Sequence, residues 1–274
     1  MLPALKAAST RQDRRSHPDK KPSQHALYLM KTTAAVCLLT LGTIWSVTAA
    51  QTITAWTFEG NVTTPSTGSG SALLIGGTTA TFADGHTSGR GWNTANYPAQ
   101  GTGYETAGVQ FNVSTLGYDL ITISYDQAAS ARASRWSELQ YTLNRNAVTP
   151  TWVTYSDNAG GLSPQDTFTV NFYNLSDVPG VDNNAAFAFR IVSVFSPVAF
   201  NPGVPVNQYG AFSAYHRAGP NSLSGAAYDP SGTWLFDNVM VSSSVIPVPE
   251  PATVSLILCG GLLAGYAGLR RRSR

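Results

Sequence analysis

The sequence predicts an all-β protein, a two-sheet jelly-roll sandwich, and three observations carry that prediction. Residues 51–249 contain no lysine and little Leu or Glu. They are rich in Thr, Ser, Gly, Asn, Val and aromatic residues, a balance that favours strands over helices. The β-branched and alternating runs are short and are separated by Gly, Pro and Asn clusters. Two of them hold a period of two. In one, Ile121, Ile123 and Tyr125 oppose Thr122 and Ser124; in the other, Trp234, Phe236 and Asn238 oppose Leu235, Asp237 and Val239.

Taken in chain order, residues 53–58 (Ile-Thr-Ala-Trp-Thr-Phe) form a first strand that Glu59-Gly60 ends. Residues 72–75 and 79–82 flank Gly76-Gly77, the residues of a tight turn. Residues 108–113 (Gly-Val-Gln-Phe-Asn-Val) and 120–125 follow, then 138–143, 151–155 after Pro150, 167–172, 186–195 and 233–241. About ten strands punctuated in this way fit two packed sheets. No fixed-period repeat is present, which argues against a solenoid.

The whole chain has a formal charge of +2, but the charge is unevenly placed. Residues 51–249 hold six arginines and twelve carboxylates, a net charge of −6, and lack the basic footprint that nucleic acid needs, so nucleic acid is disfavoured as a partner. Neutral sugars and divalent cations are compatible with that balance. The two cysteines, Cys37 and Cys259, lie in apolar terminal segments, so the body has neither a disulfide nor thiol chemistry. A body of this length can bury one sizeable core without staples.

Both ends carry delivery signals. Met30-Lys31 precedes an apolar stretch from Ala34 to Val47 and then Val47-Thr48-Ala49-Ala50-Gln51, a secretory signal peptide at 30–50 with its small-residue cleavage site. Residues 1–29, with Arg11, Arg14, Arg15, Lys20 and Lys21, are a basic leader or follow a mis-assigned start, the second reading being preferred. At the other end, Val248-Pro249-Glu250-Pro251 is followed by 18 uncharged residues, 252–269, and then Arg270, Arg271, Arg272 and Arg274. As a transmembrane helix, 252–269 spans roughly 27 Å, close to a hydrocarbon core. The arginines keep the C-terminus cytoplasmic. Pro249 and Pro251 hold the preceding segment extended and open to a processing enzyme.

This tail resembles the PEP-CTERM sorting signal in the order and spacing of its three parts. The resemblance covers about 27 of the 274 residues. It implies export in a Gram-negative bacterium that makes extracellular polysaccharide, an inner-membrane-anchored precursor, and an exosortase-type membrane protease as partner. It implies nothing about what the body does. The body resembles the jelly-roll domains often found ahead of this tail. Ala55-Trp56-Thr57-Phe58-Glu59-Gly60 opens it, Arg135-Trp136-Ser137-Glu138-Leu139-Gln140-Tyr141-Thr142-Leu143 lies in its middle and Trp234-Leu235-Phe236-Asp237-Asn238-Val239 closes it. The organisation is then 1–29 leader, 30–50 signal peptide, 51–245 sandwich and 246–274 sorting signal.

Two aromatic loops are the expected sugar-binding surfaces. One is 89–104 with Trp92, Tyr97 and Tyr104; the other is 196–232 with Tyr209 and Tyr215. Rings beside Asn, Arg and Asp can stack on sugar faces and bond their hydroxyls. Glu59 and Asp237 are a candidate calcium pair, if the first and last strands are neighbours. Catalytic signals are lacking: His86 and His216 lie far apart and no Gly-x-Ser-x-Gly occurs. The expected function is therefore an exported surface or matrix protein that binds polysaccharide and is not an enzyme. The alternatives left open are a secreted carbohydrate hydrolase or lyase, and a purely structural or ice-binding-type surface protein.

Overall fold

The computed structural model describes residues 50–87, 89–158, 161–162, 167–201, 208–219 and 227–245, all within a compact unit at 48–274. The leader, the signal peptide up to residue 49 and the sorting signal from residue 246 lie outside the described residues. Among the described residues no helix is long and apolar enough to cross a membrane.

Among the described residues, eleven strands form two antiparallel sheets. They are β1 (Gln51–Trp56), β2 (Gly70–Ile75), β3 (Thr79–Asp84), β4 (Arg90–Ala95), β5 (Gly108–Val113), β6 (Tyr118–Ala129), β7 (Ser137–Thr142), β8 (Val153–Asp157), β9 (Thr169–Asn174), β10 (Ala188–Ser193) and β11 (Trp234–Val245). The first sheet runs β3-β4-β11-β6-β9, with β1 also paired to β11; the second runs β2-β5-β10-β7-β8. A single 3-10 turn, Glu59–Asn61, follows β1.

The long strand β11 organises the first sheet. One edge pairs with β6 along its length, while the other is shared by β4 (Trp234 to Phe236) and β1 (Val239 to Ser243). First and last strands are therefore neighbours. Inward residues of both sheets make one core, with Trp56, Ile121, Trp234 and Phe236 from the first and Phe111, Leu139, Phe189 and Ile191 from the second. Phe111 joins the two, its ring 5.0 Å from Trp56 and 5.0 Å from Phe189. Each fully buried side chain of this size contributes about 1.5–3 kcal/mol.

The predicted all-β sandwich is the observed fold, with two corrections. Residues 90–95 are a strand, β4, where a ligand loop was expected. Gly91 and Asn93 disguise it, yet Trp92 and Thr94 point inward on a period of two. The alternation expected through Asn238 also breaks. Asp237 pairs with Asp126 and Met240 with Ser124, so three steps on β11 match two on β6. The bulge sits at Asn238, at φ 48°, and shifts the inward phase from Trp234 and Phe236 to Val239 and Val241.

Candidate functional site: the outer face of the second sheet

In the second sheet the residues facing away from the core fall into register across all five strands, through an irregularity where β7 meets β8 (Leu139 opposite Ser156, Gln140 opposite Thr154). One row reads Leu73–Gln110–Arg190–Gln140–Thr154, each residue the cross-strand partner of the next. On one side of it lies Ser71–Asn112–Ala188–Thr142, and on the other Ile75–Gly108–Val192–Glu138–Asp157. Five strands at the usual spacing make the row about 19 Å long. The inner neighbours Val109, Phe111, Leu139, Phe189 and Ile191 are fully buried, which fixes the polar set on the outer face.

The centre of this face is held rigid. Arg190 Nε donates to Gln140 Oε1 at 2.8 Å, and its guanidinium carbon lies 4.5 Å from the centre of the Trp152 ring. Gln140 Nε2 donates to Glu138 Oε2 (3.2 Å) and to Thr154 Oγ1 (3.2 Å), and Thr154 donates to Glu138 Oε2 (3.1 Å). On the other flank, Gln110 donates to Asn112 and Asn112 to Ser71. Tyr104 and Glu105 enter beyond the end of β10, where the Glu105 amide donates to the Ser193 carbonyl.

Electrostatics single out the same residues. Burial, then the charge of Glu105, push the Glu138 carboxyl above the ordinary glutamate range. Burial, then Glu138 and Glu105, push the Tyr104 phenol up. Burial pulls the Arg190 guanidinium down, opposed in part by Glu105. Shifted groups gathered on one polar surface with two aromatic rings make this face the candidate site.

Of the five residues expected to bind sugar, only Tyr104 reaches this face. Trp92 is buried in β4 and stacks with Phe58. Tyr97 is buried, its hydroxyl 2.6 Å from Thr94 Oγ1 and its ring 4.8 Å from Trp234. Tyr215 is fully buried, stacks on Tyr228 and donates to the Gly103 carbonyl. These three rings fix loops to the sandwich and have no face left for a sugar. Tyr209 pairs with Phe200 through both backbone hydrogen bonds and lies apart from the row. Sequence reasoning missed Arg190, Gln140, Glu138, Gln110 and Trp152. The available signal was a polar residue at alternate positions of apolar runs, as in Phe189-Arg190-Ile191 and Leu139-Gln140-Tyr141.

Glu59 lies near enough to Asp237, beside β11, for its charge to be felt there. Asp237 accepts the amides of His86 (Oδ2, 2.8 Å) and Asn238 (Oδ1, 2.7 Å), and Glu59 Oε1 accepts the Arg90 amide at 3.1 Å. Glycine makes room: a Cβ on Gly89 would lie 1.8 Å from Glu59 Oε1, and one on Gly85 2.6 Å from Asp237 Oδ2. Burial is the main cause raising the Asp237 pKa, and the charges of Asp126 and Glu59 add to it. Among the described residues no three His, Cys, Asp or Glu side chains meet in metal-holding geometry.

The family model for the PEP-CTERM protein-sorting motif matches residues 247–272, and a motif of this kind marks an exported protein. No curated protein matches the chain. Among solved structures, the chain is similar to the CBM22-1 xylan-binding domain of Paenibacillus barcinonensis Xyn10C, with 10% identity over 73% of this chain and 99% of that one, at a TM-score of 0.42. It is similar to the CBM22-1–CBM22-2 tandem domain of the same protein, with 12% identity over 71% of this chain and 50% of that one, at a TM-score of 0.44. It is also similar to the CBM22-1–GH10 modules of Clostridium thermocellum xylanase 10B, with 11% identity at a TM-score of 0.40. That match covers 65% of this chain and 27% of the enzyme structure.

Proposed function

We propose that this is an exported surface or matrix protein of a Gram-negative bacterium. In this reading an exosortase-type protease processes its inner-membrane precursor, and its sandwich binds polysaccharide without cleaving it. The observation that carries the binding half is the registered row Gln110–Arg190–Gln140–Thr154, with Trp152 against Arg190 and Tyr104 beside Glu138 of the neighbouring row. Such a face offers a sugar chain aromatic surface and the polar groups of Gln110, Arg190 and Thr154, with the buried Gln140 holding Arg190 and Thr154 in place before the ligand arrives. A cation at Glu59 and Asp237 belongs to the same reading as a structural support, favoured by the crowding of Asp126 against them.

The test is a glycan array with a reducing-end release assay on the same protein. Binding without release is expected. Release abolished by Glu138→Gln would make the protein a carbohydrate-active enzyme, and a blank array would leave a structural surface protein.

A further inference from the structure

We infer that the ligand of this face is an acidic polysaccharide, and that Arg190 selects it by taking the carboxylate of a uronic acid residue through the two terminal nitrogens of its guanidinium. The inference rests on the binding face proposed above and names the class of chain that fits it.

The argument begins with an unneutralised charge. Arg190 is only partly exposed, and a desolvated cation is ordinarily matched by a carboxylate. Among the described residues the ion pairs within 4.0 Å are His86–Asp126, Arg90–Asp84 and Arg132–Asp229; Arg190 makes none. Glu105 is felt electrostatically without closing to an ion pair. Glu138 is turned to Gln140 and Thr154, and Asp157 stands opposite Glu138. The sheet thus surrounds the guanidinium with amides and an indole, and its counter-charge is left to come from outside.

The geometry specifies what that partner is. Gln140 occupies Nε, and Gln140 is itself held by Glu138 and Thr154, so the guanidinium cannot swing away. Trp152 lies against its plane. The described residues offer no acceptor to the terminal nitrogens, which form the parallel fork that suits a planar carboxylate. A neutral hydroxyl fills half of such a fork. Glu138 and Glu105 stand toward the Tyr104 end and repel a second carboxylate there. The best fit is therefore a chain in which acidic residues alternate with, or are spaced by, neutral ones.

The experiment titrates the full chain, in mild detergent, with a panel of uronic-acid-bearing oligosaccharides, each paired with its carboxyl-reduced counterpart. The acidic form of the best binder is expected to bind about 10–100-fold tighter than its reduced form, the range for hydrogen bonds to a charged group. The gap should narrow as salt rises. Arg190→Gln should erase the gap, binding the acidic and reduced forms alike, and both more weakly than the wild type binds the reduced form, because the variant also loses the bond to Gln140. Arg190→Lys should keep part of the gap, as a point charge without the fork. Equal affinity for acidic and reduced forms in the wild type overturns the carboxylate assignment and leaves the binding face standing. So does a gap that survives Arg190→Gln. Absence of binding by any glycan, neutral or acidic, overturns the face and this inference together.

Discussion

Asn238 donates its side-chain amide to the Asp126 carboxylate at 2.8 Å, reaching across from β11 to β6 at the bulge in β11. Asn238 has a left-handed backbone, which Asn tolerates better than most residues. Its bond satisfies a largely buried carboxylate that also takes His86 Nδ1 at 2.8 Å. The bulge, the phase change it imposes and the acidic cluster are therefore one device.

Substitution at Asn238 should separate backbone from side chain. Asn238→Gly accepts the left-handed φ but loses the bond to Asp126, at about 1 kcal/mol. Asn238→Val loses the bond and adds backbone strain, for a total of about 2–3 kcal/mol. Urea unfolding of the two variants measures the difference. Equal costs would show that φ at this position is not a constraint.

Burial of Asp237, with the nearby charges of Asp126 and Glu59 adding to it, fixes a pH dependence. Its folded-state pKa lies above the ordinary aspartate value of 3.8. Between those two values the folded form holds more protons than the unfolded one. Its contribution to stability is thus complete below the ordinary value and is lost as pH rises through the raised one. Glu138, also raised, has the same sign. Asp229, lowered first by hydrogen bonds from Ser231, has the opposite sign. Asp237→Asn should flatten the fall in melting temperature across the acidic window. A profile identical to wild type would remove Asp237 as its source.

Calcium offers a second handle on the same cluster. The charges of Asp126 and Glu59 act against the Asp237 carboxylate, and a bound cation would relieve that repulsion. Millimolar calcium is expected to raise the melting temperature by mass action, and Glu59→Gln to remove the rise. An unchanged melting temperature in the wild type ends the cation reading of Glu59 and Asp237.

The sandwich was legible because its strands obey local rules. The apolar residues of 108–113 and 138–143 alternate, and Gly76-Gly77 marks a turn that is present. The site was not legible, for a physical reason. A sugar-binding loop and a loop anchored by aromatic rings have the same composition, and only burial tells Tyr104 from Tyr97 and Tyr215. Conversely, Arg190 and Gln140 sit in strands, where alternation reads as an ordinary solvent face. Their significance comes from register, which sets Gln110, Arg190 and Gln140 side by side although 30 or more residues separate each of them from the next. The bulge at Asn238 was hidden for a related reason. A strand pattern carries no mark of the extra residue until its partner is known.

Trp152 and Tyr104 test whether the face works as a unit. Trp152→Ala removes the ring against Arg190 and one apolar surface for a sugar, and should weaken glycan binding about ten-fold at an unchanged melting temperature. Tyr104→Phe keeps the ring and removes the hydroxyl that faces Glu138 and Glu105, so it should cost only a few-fold. Tyr97→Phe and Tyr215→Phe, in the core, should lower stability and leave affinity alone. Loss of affinity in the core pair, with none in the face pair, would move the site back to the loops.

Delivery is tested at the other end of the chain. In the proposed reading, the protease recognises Pro249-Glu250-Pro251, two prolines and one acid set before an uncharged span and the terminal arginines. Replacing Glu250 and both prolines together removes those features but leaves residues 252–274 intact. The variant should still be inserted and should accumulate uncut in the inner membrane, seen by fractionation and by the mass of the retained precursor. Replacing the four arginines alone acts on retention and orientation, so a different product is expected, misoriented or released early. Normal surface release of the first variant would place recognition outside the tripeptide. The apolar span and its arginines would then be the whole signal.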